Sequence, residues 1–380
     1  MTWPRSPGAR RINLVLFGVG ALGALVTRCI AAGHPRLAIV AAVDHDPAKI
    51  GRRLGDLVPE AREGADIVVA PDLATALRNA DATPDLLLHM TVSEPELIEP
   101  ELMAAIERRL DIVSASEAMF HPALRHAAFA ARIDAAARAH GVTVTGCGIN
   151  PGFVMDAVPL LLARATSGIS AIRLSRLIDV TGTGPGDIQH VGYGLTEPEF
   201  RAGIAAGRIH GHIGLPESFA CLAERLDLPL DRVEERWETT LADRPIDSGT
   251  PQLGMIQPGR IVGIAQEAVG YDGAREVLRA RLTMFYQPWE FGLEEADIIE
   301  IDGAHQIRAS LRPAAVSLFG AANVIVNAAL DVTDAPPGLL NHLDLPIAGA
   351  RRGGWQAVLD PARPVEPGRV WLSRRPYAGS

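Results

Sequence analysis

Three glycines at fixed spacing are the first residues whose types point to chemistry. Gly18-Val-Gly20-Ala-Leu-Gly23 follows an apolar run and precedes an amphipathic one. A loop of this kind between a strand and a helix has a physical use. Gly18 permits a tight turn, Gly20 has no side chain to block a pyrophosphate, and Gly23 lets the helix approach the strand closely. The free N–H groups and positive end of a helix starting at Ala21 and Leu22 then face the phosphates. The competing reading is a strand-to-helix turn that holds nothing.

Asp44 closes the next strand, about 20 residues further on. There a carboxylate accepts hydrogen bonds from the ribose hydroxyls of an NAD adenosine and repels a 2′-phosphate. The alternative is a cap for the segment near Pro47. His45 stands beside Asp44, and Arg52 and Arg53 complicate the cofactor choice, because a guanidinium can neutralise that phosphate. They read equally as a solvated helix face, so NAD and NADP both stay open. His89 and Thr91 end the fourth strand and are read as lining the ribose side, against a satisfied histidine at the strand edge. Asn150-Pro151-Gly152 is read as placing amide and backbone groups against a nicotinamide carboxamide, against a Pro-Gly turn that Asn150 caps. Glu117 lies just beyond a parallel strand, at the edge where ligands of such sheets collect. Its rival role is structural, since Ser114-x-x-Glu117 has capping-box spacing.

The elements that must position these residues follow from periodicity. Ile12–Phe17, Leu37–Val43, Ile67–Ala70, Leu86–Thr91, Ile112–Ser114 and Val142–Thr145 read as buried strands. Between them lie helical segments: Ala21–Ala32, Ala74–Ala80, one with Pro100 in its first turn, and one opened by Pro122 and stopped by Gly141. This alternation predicts a parallel Rossmann sheet over residues 1–150. Beyond Gly152 the character changes. Ile172–Val180 alternates, and Asp272-Gly273 and Asp302-Gly303 each divide two strand-like runs, Ile261–Val269 from Val277–Tyr286 and Ile298–Ile301 from Gln306–Leu311. Asp-Gly favours tight hairpins, so residues 151–312 are expected to form a second α+β domain on an open, mostly antiparallel sheet. Helices are read at Glu197–Ala206 and Glu217–Leu226. Residues 313–380 are expected to give one apolar helix, Ala314–Leu330, and an irregular tail. The fold class is α/β.

Composition bounds the rest. The chain has 380 residues, 48% of them hydrophobic, and a formal net charge of −9. That length predicts about two domains, and that charge argues against a nucleic-acid partner. No run approaches the roughly 18 apolar residues of a membrane span, and residues 1–10 lack the apolar core of a signal peptide. Three scattered cysteines fit a reducing cytoplasm. The eleven histidines show no H-E-x-x-H or similar spacing, so no metal is expected; His210 and His212 lack a third partner. No G-x-S-x-G elbow points to hydrolysis.

The segment Gly146-Cys-Gly-Ile-Asn-Pro-Gly-Phe-Val-Met-Asp156 resembles the hallmark of 2,4-diaminopentanoate dehydrogenases and the related native amine dehydrogenases. So do Val43–Gly51, Leu88–Thr91, Val113–Glu117, Gly194–Phe200, His210–Ser218 and Ala335–Leu340. The layout is more distantly similar to dihydrodipicolinate reductases. The resemblance implies NAD(P)-dependent oxidation of a small amine, or reductive amination of a carbonyl compound with ammonia. It further implies a homodimer formed through the second domain's sheet, and a C-terminal helix that returns to the nucleotide domain. It implies Glu117 as the acid–base residue, and it directs attention to Phe153, Gln189, His190 and Tyr193 as a substrate pocket; each of these has a structural reading as well. The chain departs from the diaminopentanoate pattern at Glu117-Ala118, where two acidic residues are usual, and at Thr181–Gln189, which lacks a basic stretch. An amino-acid carboxylate favours a bidentate cation, so the departure points to a simple amine or ketone unless Arg173 or Arg176 reaches the site rather than facing solvent. The rivals are a diamino-acid dehydrogenase, an imine reductase of the dihydrodipicolinate type, and a cofactor-sensing Rossmann protein without catalysis.

Overall fold

Runs that are apolar at nearly every position, rather than alternating, build the first sheet. Leu14, Val15, Leu16, Leu86, Leu87 and Leu88 are fully buried, as parallel strands covered on both faces require. The computed structural model describes residues 11–31, 34–61, 64–181, 188 and 190–346. The chain divides into two units, one holding the chain through Gly152 and again from Leu318, the other spanning Phe153–Ser317.

In the first unit, β1 (Ile12–Phe17), β2 (Leu37–Val43), β3 (Val69–Ala70), β4 (Leu86–His89), β5 (Asp111–Ser114) and β6 (Thr143–Gly146) alternate with helices. The helix Pro95–Glu107 starts five residues earlier than Pro100 suggests, because Pro95 occupies the first turn and Pro100 lies inside the helix. Pro122 opens only a 3-10 turn, Pro122–Leu124. The α-helix behind it runs Ala127–His140 and ends on Gly141 at φ 70°, the left-handed geometry that glycine tolerates.

The second unit carries β7 (Ala171–Asp179), β8 (Arg232–Leu241), a small hairpin of β9 (Ile246–Asp247) and β10 (Met255–Ile256), then β11 (Ile261–Asp272), β12 (Arg275–Phe285), β13 (Ala296–Asp302) and β14 (Ile307–Leu311). The large sheet has the order β14-β13-β7-β12-β11-β8, and only the β7/β12 pairing is parallel. Both Asp-Gly pairs sit between strands that pair antiparallel. The edge strand β8 escapes a hydropathy reading because it is written in Arg and Glu, the usual protection of an exposed edge. Neither sequence reading of Arg176 holds. The period of β7 turns Ile172, Leu174, Arg176 and Ile178 to the buried side, and Arg176 is 1% exposed. Its guanidinium donates to Asp297 Oδ1 (2.5 Å), the Ala315 carbonyl (2.6 Å) and Ser317 Oγ (3.2 Å), while Asp297 Oδ2 accepts the Ala315 N–H. A buried ion pair needs such extra partners to offset its desolvation.

The helix Ser317–Ala328 follows, and Ala322, Ile325 and Val326 join the apolar core of the first unit. The chain then adds a strand that the sequence reading leaves irregular: β15 (Gly338–Asn341) pairs parallel with β6. The completed first sheet has the order β15-β6-β5-β4-β1-β2-β3. Residues 347–380 lie outside the described residues.

The amino-terminal edge of this sheet carries a pH-sensitive group. Burial pushes the Asp111 carboxyl up to about 6; the Thr143 N–H opposes the shift and the Asp85 carboxylate adds to it. A carboxyl whose folded pKa lies above its unfolded value costs stability as pH rises from about 4 to about 6, and the cost is constant above that. Asp111→Asn keeps an oxygen for the Thr143 N–H, which Asp111 Oδ1 accepts at 2.7 Å. This variant should gain about 1–2 kcal/mol at pH 7 and little at pH 4. Urea midpoints at the two pH values test this; an equal effect at both would contradict it.

Candidate functional site

Each glycine of the loop after β1 has its own reason to be glycine. A Cβ on Gly18 (φ +101°) would overlap the Met90 carbonyl, and one on Gly23 would overlap the Gly18 carbonyl. Gly20 differs: it is exposed, and beyond its own chain neighbours no described residue has an atom within 4 Å of where its Cβ would stand. The helix Ala21–Ala31 begins there, with the Ala24 N–H donating to the Gly20 carbonyl, so the N–H groups of the turn that holds Ala21 and Leu22 have no partner further back in the helix. Open space before a helix start is what a pyrophosphate requires. The loop fits a dinucleotide.

Asp44 does not cap a helix. Its Oδ2 accepts the Val19 N–H at 2.7 Å and Lys49 Nζ at 3.0 Å, and its Oδ1 accepts the Asp46 N–H at 2.8 Å. Burial alone would push this carboxyl up, but the Asp46 and Val19 N–H groups and Lys49 hold it below its ordinary value. Asp46, whose Oδ1 accepts the Ala48 N–H, makes the local turn instead. Arg52 is exposed and donates to the Asp56 carbonyl at 3.4 Å, and Arg53 pairs with Asp66. The cation in contact with Asp44 is Lys49.

At the carboxyl edge of β4 stands a polar cluster around Glu101, a residue that the sequence reading passes over. Glu101 Oε2 accepts from Thr91 Oγ1 (2.9 Å) and bonds His89 Nε2 (2.7 Å), while its Oε1 bonds His45 Nε2 (2.6 Å). Burial would raise the Glu101 carboxyl, but the bonds from His89, His45 and Thr91 outweigh it and hold it below its ordinary value. His89 is fully buried, and its Nδ1 bonds Ser114 Oγ at 2.9 Å. Both ring nitrogens are engaged within the protein, so His89 acts behind Thr91 as part of the frame. His45 has a mostly exposed side chain and meets Phe17 edge-on at 5.4 Å.

Glu117 opens a 3-10 turn, Glu117–Met119, directly beyond β5, and is half-buried. The capping-box alternative fails. Ser114 Oγ takes the Ser116 N–H at 3.1 Å, and the Glu117 N–H donates instead to Ser93 Oγ at 3.2 Å. The far side of the turn is held as well. A Cβ on Gly146 would overlap the Met119 backbone, and Asn341 Nδ2, from β15, donates to the Phe120 carbonyl at 2.7 Å. Ser93, Gly146 and Asn341 are therefore residues that fix the backbone at Glu117. Only Gly146 lies in a segment that the sequence singled out.

Asn150 precedes a cis peptide bond to Pro151, which is buried. Its Nδ2 and Oδ1 are both buried and meet no hydrogen-bond partner among the described residues. The side chain is not a local cap. Buried amide groups are almost always satisfied, and an unpaired donor beside an unpaired acceptor complements a carboxamide. In the second unit Phe153 is half-buried, the His190 ring stacks on His210 at 5.1 Å with an interplanar angle of 4°, and Tyr193 is 3% exposed and meets Tyr286 edge-on. Gln189 lies outside the described residues, as do residues 182–187 of the loop that the sequence marked. Among the described residues, no group of three or more His, Cys, Asp or Glu is placed to hold a metal ion.

The fold and the glycine cradle define a Rossmann-type α/β protein with a second unit on a mixed sheet. Residues 153–360 match the family model of the 2,4-diaminopentanoate dehydrogenase C-terminal domain, and the chain belongs to that family. It is 24% identical over 350 residues to a 2,4-diaminopentanoate dehydrogenase of Acetoanaerobium sticklandii, covering 92% of this chain and 97% of that one. An amine dehydrogenase of Streptomyces virginiae is 25% identical over 377 residues, covering 89% and 97%. The structure of an amine dehydrogenase from Mycobacterium smegmatis shares the fold, with a TM-score of 0.79 at 23% identity over 90% of this chain and 98% of that one.

If His89 belongs to the frame, removing it should cost stability. His89→Leu leaves Glu101 and Ser114 each short of a partner and should lower stability by roughly 2–4 kcal/mol. A urea titration that moved by less than about 0.5 kcal/mol, the level of an indifferent surface change, would contradict the frame role.

Proposed function

We propose that the protein is an NAD(P)-dependent amine dehydrogenase. It converts a small primary amine, water and oxidised dinucleotide into a ketone or aldehyde, ammonia, reduced dinucleotide and a proton. The reverse direction is reductive amination. The open space at Gly20 carries the dinucleotide half of this reading. Family membership and relatives named amine dehydrogenase and 2,4-diaminopentanoate dehydrogenase carry the amine half.

In this reading Gly18, Gly20, Ala21, Leu22 and Gly23 hold the pyrophosphate. Asp44 and His45, with Arg52 nearby, attend the adenosine ribose. Thr91, backed by His89, attends the second ribose, and Asn150 with Pro151 takes the carboxamide. The bound nicotinamide supplies the hydride acceptor. Proton handling falls to the chain. An ammonium has no lone pair to assist departure of hydride from its carbon, so a base must first take a proton from nitrogen. Glu117 takes that proton and becomes a neutral acid, whose carbonyl oxygen can still accept a hydrogen bond from the iminium N–H that follows. In reverse, Glu117 protonates the carbinolamine oxygen that leaves as water. What supports the role is its place beyond β5, on a turn whose backbone Ser93 and Asn341 fix.

Phe153, Gln189, His190 and Tyr193 are proposed for the substrate side. The substrate is a simple amine or carbonyl compound rather than an amino acid. Arg176 is buried on Asp297, and Arg173 pairs with Asp302, so both arginines offered for a carboxylate are engaged. The protein is further proposed to be a cytoplasmic homodimer joined through the outward face of the second sheet. Arg236, Glu267, Arg279 and Glu276 alternate in sign across that face. No described helix is long and apolar enough to cross a membrane, and Cys29, Cys147 and Cys221 are buried and form no disulfide.

A spectrophotometric screen of amines with NAD and NADP tests the activity, with diaminopentanoate as the competing substrate. Glu117→Gln should lower turnover by about 10²-fold or more, the scale of a general acid–base contribution, with cofactor affinity unchanged. Turnover near that of the unaltered enzyme would reject Glu117 as the proton carrier.

A further inference from the structure

An acid at the end of the second strand ordinarily selects an unphosphorylated ribose, by accepting its hydroxyls and repelling a phosphate. Asp44 stands at that place with its charge already answered. Lys49 Nζ lies 3.0 Å from Asp44 Oδ2, and its side chain is 26% exposed. An ammonium has three donors. One goes to Asp44, and the other carboxylate near it, Asp46, stands at 3.7 Å, beyond hydrogen-bond length. Lys49 therefore keeps donor capacity at a surface that a ligand can reach. The two arginines that the sequence offers for this task are directed elsewhere, Arg53 to Asp66 and Arg52 to the Asp56 carbonyl. Asp44 cannot swing away to remove its own charge, because the Val19 and Asp46 N–H groups pin both of its oxygens. Among the described residues, Lys49 is the cation in contact with Asp44.

We propose that Lys49 is the specificity-determining residue for the cofactor's 2′ position: it offsets Asp44 and donates to a 2′-phosphate, so that the protein takes NADP as well as NAD. Asp44 serves the unphosphorylated ribose, and Lys49 admits the phosphorylated one. The inference rests on the dinucleotide reading of the glycine loop.

Fluorescence titration of the purified protein with NADH and NADPH, without substrate, separates the two claims. The unaltered protein should bind both, with dissociation constants within about tenfold of each other. Lys49→Met should weaken NADPH by 10-fold or more, the scale of a charge-assisted hydrogen bond, and change NADH by less than about threefold. Lys49→Arg should restore most of the NADPH affinity, which a mere loss of local packing would not predict. NADH binding by Lys49→Met also reports that its site is intact. Failure of the unaltered protein to bind either nucleotide would sink the dinucleotide reading itself. Binding of NADH alone, an equal effect of Lys49→Met on both, or loss of NADPH affinity on Arg52→Ala with none on Lys49→Met would overturn the role of Lys49.

Discussion

The hydrogen bond from the Val19 N–H to Asp44 Oδ2 joins the two loops on which the nucleotide end of the first unit depends. It crosses from the turn after β1 to the end of β2, strands that are already neighbours in the sheet. With the Gly18 N–H donating to the Val43 carbonyl at 2.9 Å, the glycine turn is fixed at consecutive residues. A loop so constrained can leave Gly20 open without collapsing into the space, and preorganised donors lose little entropy when a ligand arrives. The same carboxylate is what Lys49 contacts. Loop position and the charge at the end of β2 are thus set by one side chain, and altering Asp44 changes both together.

A similar division holds beyond β5. The turn carrying Glu117 is fixed through its backbone, by Ser93 before Glu117 and by Asn341 after it. Gly146 leaves room for the turn to lie against β6. Chain ends and loops are normally the mobile parts of a fold, yet a strand added from near the end of the described chain tightens the turn that carries Glu117. β15 therefore has a use in the site as well as in the sheet, because its pairing with β6 delivers Asn341 to Phe120.

Local patterns made much of this legible. The spacing of Gly18, Gly20 and Gly23 is legible from the loop itself, and the nearly all-apolar runs of β1, β2 and β4 announce burial on two faces. Asp272-Gly273 and Asp302-Gly303 place two hairpins because a tight turn is specified by two residues. What escaped depends on distance along the chain. Glu101 looks like any polar residue of an amphipathic helix until the sheet brings His45, His89 and Thr91 to it. Nothing local marks Ser93 or Asn341 as partners of the Glu117 turn. β8 was hidden for a different reason: an edge strand guarded by charge carries no apolar period to find. Arg176 shows the converse limit, since alternation does place it on the inner face but cannot reveal that Asp297, Ala315 and Ser317 wait there to satisfy it.

The buried polar groups of the two units also differ in kind. Arg176 and Asp297 bond one another, the backbone at Ala315 and the Ser317 hydroxyl, and this buried set ties β7 and β13 to the segment that leaves the unit. The Glu101 cluster is likewise buried at His89, but it reaches the surface through His45. Asn150 is one of several described residues with unpaired buried side-chain atoms, Ser116, Thr145, Ser218 and His342 among them, and it differs in leaving a donor and an acceptor unpaired side by side. Leaving a buried amide unmet costs on the order of 1–3 kcal/mol. What sets Asn150 apart is chemical: a donor beside an acceptor is the complement of a carboxamide, which a lone hydroxyl or ring nitrogen is not.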